Sequence, residues 1–232
     1  MWKCPPAGIL VPVDFGDASA RAAEVAGAMQ ARLGASVRLL HAEVLEAPAY
    51  FTRDQITSLE RQRQAARSQA ESYIAAFGRR HGLPHAGVLL ADGSPVPAIL
   101  TAAADSDLVV MGTHGRHGAS RWWLGSVAER VVHESRSPVL VVHDAGPGSA
   151  EAVFARPLVV AAEAAGAEGA RRVADGLASA FGGRVADAIA TCERDLARHR
   201  EATLIVVARH GRDTAERWLR SCTLPMLFVP EP

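Results

Sequence analysis

Lysine is almost missing from this chain. Its 232 residues hold one, Lys3, against 24 arginines. A phosphate-binding loop of the G-x-x-x-x-G-K-[ST] type is thereby excluded, and the pattern does not occur. Formal net charge is zero and no basic block stands out, so nothing marks a polyanionic partner such as DNA. Cysteine is scarce: Cys4, Cys192 and Cys222 form no CxxC pair, and an odd number argues against a disulfide framework. No apolar run approaches the ~18 residues of a membrane span. The opening MWKCPPAGILVPVD holds too few apolar residues for a signal peptide. A soluble, cytoplasmic protein with no membrane and no nucleic-acid partner is expected. The G-x-S-x-G elbow and H-E-x-x-H are absent too, and no Ser or Cys nucleophile has an identifiable base. Dedicated catalysis is therefore not expected.

What is present is a 49% apolar composition arranged as short apolar runs alternating with helical patterns, the mark of an α/β fold. Strands are predicted at Ile9–Val13, Val37–Val44, Val88–Ala91, Leu108–Met111 and Pro138–Val142. Their apolar runs lack polar alternation, which implies a parallel sheet covered on both faces. Helices are predicted over Ala18–Leu33, capped by Asp17 or Ser19 and stopped by Gly34, and over Arg53–Arg80. Two more run from Ser94-Pro95 to Ala104, with proline in the first turn, and over Ser126–Glu134. The polar helix from Arg53 reads as a solvated face. His143–Ala152, HDAGPGSAEA, reads as a linker.

The remainder repeats this scheme in shortened form. DLVVMGTHGR (Asp107–Arg116) aligns with TLIVVARHGR (Thr203–Arg212) at an offset of 96. AER at Ala128–Arg130 matches AER at Ala215–Arg217, and Pro138 matches Pro225, at an offset of 87. ILVPVD (Ile9–Asp14) matches LVVAAE (Leu158–Glu163) at an offset of 149. About nine residues are thus missing after Arg212, together with a segment about as long as Ala35–Gly87. That larger loss is expected to remove the second strand and the long helix, with loss of the third strand as the alternative, leaving about four strands. The units predicted are 1–145 and 153–232. Their final apolar strands, Pro138–Val142 and Pro225–Val229, would be exposed sheet edges unless they pair.

The stretch Val109–Val127, VVMGTHGRHGASRWWLGSV, runs from a strand through Gly112, Gly115 and Gly118 to Gly125-Ser126 at a helix start. Strand, glycine loop and helix N-terminus together make a generic anion site of backbone N–H groups and helix dipole. The spacing Gly112-x2-Gly115-x9-Gly125-Ser126 is not the G-x-G-x-x-G dinucleotide fingerprint. With ILVPVDFGDAS at the opening and SPVLVV at the fifth strand, these residues resemble the universal stress proteins, whose ATP-binding members carry G-2x-G-9x-G-(S/T) here. The resemblance covers Gly8–His143, and the C-terminal half shows only fragments of it.

The resemblance implies a five-stranded parallel sheet of order 3-2-1-4-5, with helices on both faces and a ligand at the switch point between strands one and four. Asp14 would contact the ribose or adenine side, with backbone near His41 and Ala42 facing the base. Met111, Gly112, Thr113, Gly115, Arg116, Gly125, Ser126 and Val127 would lie along the phosphates. The ligand implied is ATP, or ADP or AMP, with Mg2+ as a candidate companion; cyclic nucleotides stay open. Any ATP turnover is expected to be far below the ~10 s⁻¹ of dedicated enzymes. Nucleotide would order the glycine loop and a lid at Val44–Thr52, a state read by a protein partner. Family members pair through the last strand, so pairing of the two halves is expected, with a homodimer as a further candidate. The alternatives are a slow nucleotide hydrolase or transferase, and a ligand-free dimerisation module.

Plainer readings stand beside these. The glycines could make an irregular turn, and Asp14 could only cap the first helix. Arg116 and Arg121 suit either phosphate or solvent, and His114 and His117 read as surface histidines. One ring of Trp122-Trp123 is expected to pack under the loop. The C-terminal half is not expected to hold a nucleotide. Ala208 replaces Gly112, Glu163 replaces Asp14, and Arg209 and Arg212 would hold at most a stray anion.

Overall fold

The computed structural model describes residues 5–43, 53–113, 125–144, 148–160, 167–188, 200–209 and 224–230. Strand β1 (Gly8–Pro12) leads to helix α1 (Asp17–Leu33) and strand β2 (Ser36–Glu43). Helix α2 (Arg53–Arg80), strand β3 (Gly87–Asp92), helix α3 (Pro95–Ala103) and strand β4 (Leu108–Gly112) follow. Helix α4 (Ser126–Glu134) and strand β5 (Val139–Val142) complete the first half. A 3-10 turn at Glu151–Phe154 precedes strand β6 (Pro157–Val160), helix α5 (Ala167–Phe181) and strands β7 (Ala186–Ala188), β8 (Leu204–Arg209) and β9 (Met226–Pro230).

These strands make one sheet of order β3-β2-β1-β4-β5-β9-β8-β6-β7. Its first five are parallel in the expected 3-2-1-4-5 arrangement. Two apolar layers cover it. One joins alternate residues of the strands, such as Val11, Leu39, Val110 and Leu140, to α1, α2 and α5. The other joins Leu10, Leu40, Val109 and Val141 to α3 and α4. Helix α1 earns its place by spacing: Ala22, Val25, Ala26 and Met29 fall on one face and are all fully buried. It stops at Gly34, whose φ of 68° suits glycine and whose N–H donates to Gln30 O at 2.9 Å.

Several sequence expectations are corrected. The N-cap of α1 is Gly16, not Asp17 or Ser19; Asp17 is the first helical residue, and Ser19 Oγ donates to Gly16 O at 2.9 Å. The linker is shorter than predicted, because Glu151 and Ala152 belong to the 3-10 turn that buries Val153 and Phe154. The second half keeps its second strand. β7 follows α5 and pairs parallel with β6, as β2 follows α1 and pairs with β1. Among the described residues no counterpart of α2 or β3 stands between β7 and β8.

The halves meet at β5 and β9, the one antiparallel junction among the described strands. Val139 faces Phe228, Leu140 faces Leu227 and Val141 faces Met226. All four residues of β5 are buried, and burying such a side chain contributes about 1.5–3 kcal/mol. Both apolar layers run through this seam. Unfolding should therefore be a single transition for the whole chain, and Leu227→Ala should destabilise it by about 2–5 kcal/mol. Urea titration followed by far-UV circular dichroism, alongside calorimetry, checks this. Two transitions, with only one moved by the substitution, would contradict a shared sheet.

Candidate nucleotide site

Strands β1 and β4 are parallel neighbours, with Ile9 beside Leu108 and Leu10 beside Val109. After β1 the chain crosses to β2, and after β4 it crosses the other way to β5. The covering helices, α1 and α4, lie on opposite faces. The C-terminal ends of β1 and β4 therefore border a switch-point crevice, and Asp14 and Gly112 stand on its two sides.

On the β1 side, Asp14 Oδ1 accepts the Gly16 N–H at 3.0 Å, a local turn bond rather than a cap on the helix. Phe15 next to it has φ 65°, a left-handed conformation rare for a large side chain. Its ring is seated against His41 at 4.8 Å, Tyr73 at 4.7 Å and Phe77 at 5.5 Å between centroids. Such strained conformations persist where packing over-determines them, and they gather at binding sites. His41 Nδ1 is bonded to Val13 O at 2.8 Å, tying β2 to the end of β1. Ala42 is the next residue of β2, half-buried and paired with Ala91.

A cavity of about 810 Å3 opens beside this cluster, lined by Phe15, His41, Leu90 and the α2 residues Arg67 and Tyr73. Arg67 is anchored there by a 2.8 Å bond to Leu90 O. The α2 surface is thus more than a solvated face, a role that sequence reasoning missed. The usable signal was Tyr73, Ile74 and Phe77 on one stripe of a polar helix, with Ile74 and Phe77 buried.

On the β4 side, Met111 is buried in the sheet. Gly112 has a packing duty: a Cβ there would lie 2.7 Å from both the backbone carbon and the Cβ of Ala18, at the start of α1. Thr113 is 1% exposed. Its N–H donates to Val142 O at 3.0 Å, and its Oγ1 is 3.4 Å from His143 Nδ1. Its carbonyl accepts the Gly125 N–H at 2.7 Å, which brings the two ends of the glycine segment together. Gly125 is the N-cap of α4, with Ser126 exposed as the first helical residue and Val127 half-buried behind it. Geometry leaves the first N–H groups of this helix without intrahelical acceptors, at the positive end of its dipole. An anion fits that donor set.

Gly115 and Arg116 lie outside the described residues, as do His114, His117, Gly118, Arg121, Trp122, Trp123 and the predicted lid at 44–52. Glu163 and Arg212 fall outside them as well. In the second half, Arg209 Nη1 donates to the carbonyl of Val132 in α4. No group of three or more His, Cys, Asp or Glu side chains able to hold a metal ion occurs among the described residues.

Gly112→Ala should cost about 1–3 kcal/mol by overpacking against α1. A lower urea midpoint at unchanged slope is the expected result, with or without nucleotide. Unaltered stability would show that α1 yields and that Gly112 is not needed for packing.

Comparison with known proteins agrees with this geometry. The Universal stress protein family profile matches residues 8–143. A universal stress protein of Thermus aquaticus is 36% identical over 141 residues, spanning 58% of this chain and 96% of that protein. One from Mycobacterium bovis is 32% identical over 139 residues, and there the match spans only 45% of the relative's length. The crystal structure of a universal stress protein from Archaeoglobus fulgidus overlays 97% of this chain and 96% of its own, with TM-score 0.65 and 20% identity, a likeness of fold. No helix among the described residues is long and apolar enough to cross a membrane. The chain belongs to the universal stress protein family.

Proposed function

We propose that this protein is a nucleotide-dependent regulatory module of the stress response that binds one adenine nucleotide, ATP in the first instance, at the crevice between β1 and β4. In this reading residues 1–145 form the binding unit. Asp14 holds the ribose side, and backbone at His41 and Ala42 faces the base. Met111, Gly112, Thr113, Gly115, Arg116, Gly125, Ser126 and Val127 surround the phosphates, which Mg2+ would accompany. ADP and AMP offer the same base and ribose with fewer charges.

The observation that carries the proposal is the 2.7 Å bond from Gly125 N–H to Thr113 O. It supports a phosphate site because it sets the N-terminus of α4 at the end of β4, across the switch point from Asp14. Family membership and the spacing of Gly112, Gly115, Gly125 and Ser126 point the same way. Residues 153–232 are proposed as a shortened repeat without a phosphate site. Ala208 stands at the position of Gly112, and Arg209 is already engaged with α4.

The test is calorimetric titration with ATP of the wild type and of a Gly115→Leu/Gly125→Leu variant. Gly125 has φ −65°, which any residue adopts, so leucine there acts by filling space rather than by straining the backbone. Affinity should fall at least about tenfold, equivalent to about 1.4 kcal/mol. Equal affinity in the two proteins would overturn the assignment.

A further inference from the structure

Arg209 ends β8, and by repeat register it takes the position that Thr113 holds in the first half. Its guanidinium leaves its own half and donates to the Val132 carbonyl. That carbonyl lies in the last turn of α4, where the helix ends and no following N–H reaches it. Ser135 N–H is spent on Val131 O at 2.9 Å. A cation at this end also complements the negative pole of the helix dipole. Burial lowers the Arg209 pKa from its ordinary value, but an arginine stays charged at any physiological pH.

A second observation ties the same helix to the C-terminal half. The buried face of α4, Ala128, Val131 and Val132, belongs to one apolar layer with Ile205 and Val207 of β8 and Met226 and Phe228 of β9. Helix α4 has nine residues, about 13 Å of rod at 1.5 Å per residue. A helix this short is marginal on its own. Where its last turn is held decides where its first turn points.

We propose that Arg209 is a positioning residue for the phosphate site: by clamping the C-terminal turn of α4 it aims the N-terminal donors at Gly125–Val127 into the crevice. This rests on the nucleotide-binding reading above. It gives the shortened half a function. Having no phosphate site of its own, it sets the phosphate affinity of the first half, and whatever binds or shifts β8 alters that affinity. The arginine touches no nucleotide. Its effect should fall on phosphate recognition and spare the base and ribose.

The experiment compares ATP and adenosine binding by calorimetry in the full chain, for wild type, Arg209→Met, Arg209→Lys and Arg156→Ala. The last removes an exposed arginine paired with Glu201 at the opposite end of β6 and β8. Arg209→Met should weaken ATP roughly three- to tenfold, the scale of a lost charge-assisted bond at a helix end, and leave adenosine unchanged. Arg209→Lys should recover most of the loss, and Arg156→Ala should bind as wild type. Hydrogen exchange without nucleotide should show faster amides across Ser126–Glu134 in Arg209→Met. Should that variant fail to fold, Arg209→Gln, which keeps a donor but loses charge and reach, is expected to show the same ATP-selective loss. Equal losses for ATP and adenosine, or unchanged ATP affinity, or unchanged exchange in α4, would each overturn the clamp. A wild type that binds no ATP would instead bring down the parent reading, and this one with it.

Discussion

The antiparallel contact of β5 with β9 is the constraint from which the rest follows. A parallel strand reading VLVV, buried on both faces, cannot end a sheet in water without offering its unpaired N–H and C=O groups to any passing strand. Here the partner comes from the same chain. One sheet then runs through both halves, both apolar layers become continuous, and α4 is laid over strands from each side of the seam. The second half completes this edge through β9, which pairs with β5 on one side and β8 on the other.

The crevice inherits its geometry from that arrangement. Opposite crossovers after β1 and β4 open a gap at the strand ends, and the residues on its two sides are fixed by different means. On the β1 side, aromatic packing holds Phe15 in a strained conformation beside Asp14, and His41 ties the next strand in. On the β4 side, close backbone packing of Gly112 on α1 and the bond from Gly125 N–H to Thr113 O bring a helix start to the strand end. The glycines thus do unlike work. Gly112 answers to α1, whereas Gly125 sits at an ordinary φ and has no conformational need to be glycine.

Much of this was legible in the sequence, for identifiable reasons. Continuous apolar runs such as Ile9–Val13 and Leu108–Met111 announce buried parallel strands, and Gly34 and Ser94-Pro95 mark helix ends that the structure places within a residue. The repeat was legible too, although its offsets count how many residues are lost and not where, so the sequence could not choose between loss of the second and of the third strand, and the second, β7, is present beside β6. Other features had no local signature. Ala18 as the partner of Gly112, the turn at Gly16 in place of an Asp17 cap, and the reach of Arg209 across the seam to Val132 depend on contacts between elements far apart in the chain. A helix rich in Gln and Arg likewise reads as solvated until Tyr73 and Arg67 are seen walling a cavity.

If one half of the chain is the binding unit and the other its support, as proposed, the number of nucleotides bound per chain is the most direct test. Native mass spectrometry of the 24.5 kDa chain, purified and then titrated with ATP, should resolve one nucleotide adduct per chain at saturation and no second of similar affinity. Two equivalent adducts, or none at saturating ATP, would contradict it.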